Sequence, residues 1–267
     1  MTSPISTLYT RLALSMIAMS TLLMSCDADE FSIQVQGILP LDVSSCGAGQ
    51  LSTTNTLLSS GTMDLVLSNE YEVILSVLNR LQNSLITNNL SADDGHINTT
   101  DVNLTNAIVR YLDPDEIGLG FEAERNIPLA GLLPSSSSNP STQRLKLITE
   151  SMANNLRDGG LFNGRNRSGR VAPTRVNFTL IVAIKLQGKT LDGKRVESNE
   201  IMFPVELCTA CRVSTLGRSD TCDMMSDEEA DLISQCPIAI GHDDTFASCA
   251  LCQQVAVNDS FAALCAE

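Results

Sequence analysis

Between residues 176 and 186 every second side chain is apolar: Val176, Phe178, Leu180, Val182, Ile184 and Leu186, opposed by Asn177, Thr179 and Lys185. Successive side chains point to opposite faces only in a strand, so this segment reads as a strand with one face in a core. Asp192-Gly193 then turns the chain, and Ile201, Phe203, Val205 and Leu207 return on one face. The two runs predict a hairpin over 176–207. Pro204 is expected at an edge or a bulge, because proline has no N–H to give to a ladder.

Shorter segments follow the same period. Phe31, Ile33, Val35 and Gly37 alternate as a first strand over 31–39, and Met63, Leu65 and Leu67 share a face over 62–67. Residues 71–81 fit two patterns: Tyr71, Val73, Leu75 and Val77 as a strand, or Tyr71, Leu75, Leu78 and Leu81 as a helical stripe. The β-branched Val73-Ile74 and the β character of the neighbours favour the strand. Further strands are expected over 101–112 and 144–148. The Ser/Thr/Gly-rich 44–61, the turn-rich 91–100, and 131–142 with five Ser and two Pro read as loops. Residues 151–157 suit one or two helical turns closed by Gly159-Gly160, and 227–235 suit one helix near the end. The pattern predicts a mainly β chain: an immunoglobulin-like antiparallel β-sandwich over 31–207, then a disulfide-rich, loop-rich C-terminal appendage over 208–267.

The first thirty residues belong to another problem. Arg11 is the only charge ahead of an apolar run over 12–24, which has signal-peptide length and is too short to span a bilayer. The run ends Leu23-Met24-Ser25-Cys26 and resembles the bacterial lipobox, with an aliphatic residue, a small residue and then cysteine. The resemblance implies that 1–25 is a lipoprotein signal peptide, cleaved before Cys26, and that Cys26 carries diacylglycerol and its new amine a third chain. Two or three acyl chains anchor a protein stably. Residues 26–30, with Asp27-Ala28-Asp29-Glu30, then form the tether, and the expected location is the bacterial cell envelope, on the outer membrane.

Setting Cys26 aside leaves Cys46, Cys208, Cys211, Cys222, Cys236, Cys249, Cys252 and Cys265, an even number in an exported chain. Compartment and parity favour four disulfides, with Cys46 stapling the N-terminal region to the tail. Spacing cannot choose the pairing, although Cys208 and Cys211 are expected to join different partners because a bridge over two residues is tight. The two Cys-x-x-Cys pairs, 208/211 and 249/252, also have zinc-ligand or redox spacing. An oxidising export route weighs against zinc. A thioredoxin-like role would want a helix straight after Cys208, where Thr209-Ala210 leads into a loop.

Around Cys208 the run Ser198-Asn199-Glu200-Ile201-Met202-Phe203-Pro204-Val205-Glu206-Leu207-Cys208-Thr209-Ala210-Cys211, followed by spaced cysteines, is similar to uncharacterised envelope lipoproteins of myxobacteria and their relatives. The resemblance covers the lipobox and about the last hundred residues, and implies an envelope location without an activity.

No His-Glu-x-x-His, Gly-x-Ser-x-Gly, P-loop or Gly-x-Gly-x-x-Gly occurs. His96 and His242 each lie beside an acid pair, in Asp93-Asp94-Gly95-His96 and His242-Asp243-Asp244, and read as solvated loop tips. Those clusters and Asp113-Pro114-Asp115-Glu116 lack the alternating spacing of a calcium loop. A net charge of −14 repels phosphate backbones, so nucleic acid is excluded as a partner. Charge is uneven: eleven basic against five acidic residues over 141–200, two against ten over 208–267, which reads as solvated faces or as the tail docking on the middle. No cofactor, catalytic residue or metal ligand is assigned. The expected role is a non-enzymatic envelope lipoprotein, membrane-bound through Cys26 and displaying its β domain to an envelope protein. The alternative is a redox or metal-binding protein working through the Cys-x-x-Cys pairs.

Overall fold

Strands dominate the chain, in the order β1 (Ile33–Leu39), β2 (Leu41–Asp42), β3 (Gly47–Ala48), β4 (Gly61–Asp64), β5 (Tyr71–Asn79), β6 (Val102–Leu112), β7 (Glu124–Leu133), β8 (Ser141–Ile148), α1 (Glu150–Asp158), β9 (Asn163–Arg165), β10 (Val171–Pro173), β11 (Asn177–Thr190), β12 (Arg195–Glu197), β13 (Ile201–Cys208), a 3-10 turn (Pro237–Ala239) and α2 (Cys249–Val255). This computed structural model describes residues 31–42, 45–48, 57–81, 99–112, 122–135, 139–158, 163–165, 171–173, 177–213, 235–243, 245–256 and 265. Cys26, Cys222, His96, the acids around Asp113 and most of the 227–235 helix lie outside them. Among the described residues no helix is long and apolar enough to cross a membrane.

The 176–186 alternation is the spine of the larger sheet. β11 pairs antiparallel with β13 on one side and β6 on the other, giving the order β4-β13-β11-β6-β7, with β12 on the far end of β11. β1, β5 and β8 make a second sheet. One apolar cluster takes the inward faces of both, from Ile33, Val35 and Leu75 to Tyr111, Val182, Ile184 and Leu207. Residues 71–79 are a strand, and the ambiguity of their pattern has a physical origin. β5 is the middle strand of its sheet, and Ile74 and Ser76 are as buried as Val73 and Leu75, so alternation is blurred.

Three expectations need correction. The pairing is not all antiparallel: β4 runs parallel to β13, with Gly61–Asp64 against Val205–Cys208. The loop expected over 131–142 is strand at both ends, because β7 runs to Leu133 and β8 begins at Ser141. β7 is an edge strand whose alternation is broken by Pro128 and Gly131, and its pairing with β6 shifts register beside them. Pro204 lies in an interior strand; its missing N–H is tolerated because β4 pairs with β13 only from Val205 onward.

The sheets are also tied by polar groups. Asn199 donates through Nδ2 to the Val35 carbonyl (3.1 Å) and accepts the Val35 N–H on Oδ1 (2.8 Å), so one side-chain amide does the work of a strand residue. Nearby, Asn79, the β5 partner of Ile33, donates to the carbonyls of Thr100 and Leu133, both at 3.0 Å.

Residues 32–267 form one compact unit. The free side of β4 is covered by the tail: the Asp64 N–H donates to Gly241 O (2.8 Å), the Asp243 N–H to Thr62 O (3.0 Å), and Met63 bridges His242. Covering an edge in this way removes a row of open donors and acceptors. After Asp64 the chain leaves the sheet, so the expected common face of 63, 65 and 67 divides. Met63 and Leu65 enter the main cluster, while Val66 and Leu67 enter a second one with Val213, Ile240, Ala247 and Leu251.

Candidate functional site

Among the described residues, buried polar side chains gather around the turn between β4 and β5, residues 64–70, where sheet, helix and tail meet. Asp64 is fully buried. Its carboxylate accepts the N–H groups of Val66 (3.0 Å), Ala210 (2.9 Å) and Arg212 (2.9 Å). Burial raises its pKa, and the backbone N–H groups oppose that rise. From the other side Arg157 of α1 donates to the carbonyls of Leu65 (2.7 Å) and Ser68 (2.5 Å), and burial lowers its pKa to about 10. The turn is thus held by an anion on its N–H neighbours and a cation on its carbonyls.

His242 is only 4% exposed, so it is not a solvated loop tip. Gly241, at φ +76°, aims it inward, and a Cβ there would fall 2.6 Å from that of Leu67. His242 Nε2 lies 2.7 Å from Glu70 O and 2.8 Å from Ser68 Oγ. A carbonyl only accepts, so Nε2 carries the proton, and Ser68 turns its own hydroxyl to Glu70 O (2.8 Å). Nε2 therefore has no lone pair for Ser68, and the pair is not a nucleophile with its base. Burial holds the imidazole neutral, with a pKa lowered to about 4. Asp243 Oδ1 accepts from Tyr71 Oη (2.8 Å) and Thr62 N (3.0 Å), and burial, with this carboxylate beside it, pushes the Tyr71 phenol well above its ordinary range. Beside them a cavity of about 280 Å³ opens, lined by Pro40, Leu41, Leu58, Ala239, His242, Asp243 and Thr245.

The cysteines surround this junction. Cys46 is bonded to Cys236 and Cys252 to Cys265. Cys208 is bonded to Cys211, against the expectation of different partners. Ala210 takes a left-handed backbone (φ +55°), which folds Thr209-Ala210 tightly enough to bring the two Cα atoms to 5.9 Å. Cys249 is also disulfide-bonded, to a cysteine outside the described residues. Asp64, Cys208 and Cys211 place a carboxylate oxygen and two sulfurs within 4.8 Å of one another. The sulfurs are spent on each other, so the trio is no zinc site in this state.

Sequence reasoning did not find Asp64, Ser68, Tyr71, Arg157 or Arg212, because nothing local marks them; their partners stand far away in the chain. The charge asymmetry finds no docking role among the described ion pairs: Lys146 of β8 pairs with Glu72 of β5 and with Glu70 just before that strand, and Lys185 of β11 pairs with Glu197 of β12. No protein-family model matches the chain, and no curated protein matches its sequence.

Proposed function

We propose that the chain is a lipid-anchored protein of the bacterial envelope, held through Cys26, whose immunoglobulin-like sandwich binds a partner protein there. The lipobox supports the anchor, and the resemblance of 198–211 to myxobacterial envelope lipoproteins supports the location. The sandwich reading draws support from the strand order: β1-β5-β8 opposite β4-β13-β11-β6-β7, with α1 linking β8 to the later strands.

The observation that carries the binding role is an apolar strip on the outer face of the larger sheet. Leu112, Ile181 and Pro204 stand in one row across β6, β11 and β13, with Met202 beside Ala183 in the next pair. Met202 is 57% and Ile181 40% exposed, and the ion pairs Arg110–Glu200 and Lys185–Glu197 flank the strip. An apolar centre inside a charged rim is the composition of a protein-binding patch.

Two experiments test this reading. Cys26→Ser should leave the precursor uncleaved and unacylated; mature protein that needs no detergent would sink the anchor. Capture of an envelope protein by the wild type should be lost in Ile181→Glu/Met202→Glu with its β signal intact, and undiminished capture would move the interface elsewhere.

A further inference from the structure

We propose that Cys208 and Cys211 form an exchangeable disulfide that oxidises paired thiols of another exported protein, with Asp64 as the proton-transfer group for Cys208. This goes beyond the binding role and does not depend on the apolar strip.

Four observations converge on the pair. The bond spans a sequence separation of 3, against 190 and 13 for the two other described disulfides, so it constrains the unfolded chain least. The loop that carries it is held without it. Asp64 accepts Ala210 N and Arg212 N, Leu65 N donates to Cys208 O (2.8 Å), Ala247 N donates to Arg212 O (2.9 Å), and Arg212 Nη2 donates to Thr62 Oγ1 (2.7 Å). Opening the bond therefore leaves the two sulfurs in place.

The two ends also differ. Cys208 is fully buried while Cys211 is partly exposed, so an incoming thiolate meets Cys211. Finally, groups that serve only the reduced form are already present. Met63 O stands 3.6 Å from Cys208 Sγ, ready to accept an S–H, and the Asp64 carboxylate is within 4.8 Å of both sulfurs. Burial lifts the Asp64 pKa, which suits a group that takes and returns a proton.

The exchange balances as follows. A partner thiolate attacks Cys211 Sγ, forming a mixed disulfide; Cys208 Sγ leaves with the bonding pair and takes up a solvent proton relayed by the Asp64 carboxylate. The partner's second thiolate attacks its own sulfur in the mixed disulfide, and Cys211 leaves as a thiolate that solvent protonates. Two electrons pass to the pair, and the partner ends with a disulfide. An external disulfide runs the same steps backward, with Asp64 accepting the Cys208 proton.

The test uses the full chain extracted from membranes in detergent. It is equilibrated over a dithiothreitol series, alkylated and mapped by peptide mass spectrometry. Cys208 and Cys211 should become labelled at about tenfold less reductant than Cys46–Cys236, with native circular dichroism throughout. Labelling together with the other bridges, or only as the β signal is lost, overturns the proposal. In Cys208→Ser, oxidised glutathione should add to Cys211 in the folded protein; no adduct would overturn the assigned point of attack. Asp64→Asn should slow reduction by dithiothreitol about tenfold. An unchanged rate removes Asp64 from the step, and should that variant not fold, the reductant series and Cys208→Ser still decide.

Discussion

A carboxylate out of water is costly unless donors meet its oxygens, and Asp64 shows how the cost is offset, with three backbone N–H groups at 2.9–3.0 Å. Asp64→Ala leaves those donors buried and unpaired, so urea unfolding should show a loss of about 2–4 kcal/mol. A loss under half a kilocalorie would mean that water replaces the carboxylate without penalty. His242 makes a pH prediction of definite sign. Its folded pKa of about 4 lies below the ordinary imidazole value of 6.5, so between those values the unfolded chain binds a proton that the folded chain refuses. The contribution is complete above pH 6.5 and is lost as pH falls toward 4, by about 3 kcal/mol in all. Relative to His242→Gln, the wild type should lose about 2–3 kcal/mol of stability between pH 7.5 and 4.5. Equal losses in the two proteins would show that the ring is not held neutral.

Among the elements, β13 carries the most duties. It pairs with β11 along its length, receives β4 in parallel and is preceded by the Ser198-Asn199 clamp. Ser198 Oγ accepts the Leu186 N–H at 2.8 Å, and Asn199 grips Val35 in β1. Asn199→Ala removes both bonds to Val35 and should cost about 1–3 kcal/mol. Amide hydrogen exchange would show whether the loss is local: Val35 should open first, ahead of β5. If β5 opens equally, β1 is not an independent unit and the clamp is only one tie among many.

At the scale of the molecule, the sheets and the tail have separate apolar clusters but share a polar junction. Every buried residue of the larger cluster lies between Ile33 and Leu207, whereas the smaller one joins Val66 and Leu67 to the tail. A chain ending at Leu207 should keep its β dichroism yet melt earlier and bind a hydrophobic dye at the bared Val66 and Leu67; loss of all β signal would show that the tail is needed to form the sheets. Among the described bridges Cys46–Cys236 closes the longest loop, with a chain-entropy contribution of roughly 5 kcal/mol, compared with roughly 2 for Cys208–Cys211. Cys26 and Cys222 lie outside the described residues, and if Cys26 carries lipid as proposed, Cys222 is the partner of Cys249. Peptide mapping without reduction should recover that linked pair, and free Cys222 would exclude it.

Much of the β framework was legible in the residues, because side chains at 176–186 and 201–207 report their faces by alternation, which needs no knowledge of the partner strand. The 71–79 strand was legible only through β-branching, since a strand buried on both sides loses its period. β7 and α2 were not legible: Pro128 and Gly131 interrupt the first, and α2 is seven residues capped by Ser248 and held by Leu251 and Cys252 in the smaller cluster. Composition and compartment alone argued for bonded cysteines, but the choice of Cys208 for Cys211 required the left-handed Ala210 and the Asp64 carboxylate beneath it. The polar junction belongs wholly to tertiary structure. Asp64, Arg157 and His242 are ordinary charged or titratable residues in the chain, and become a site only because folding removes water from all three at once and leaves backbone groups as their solvent.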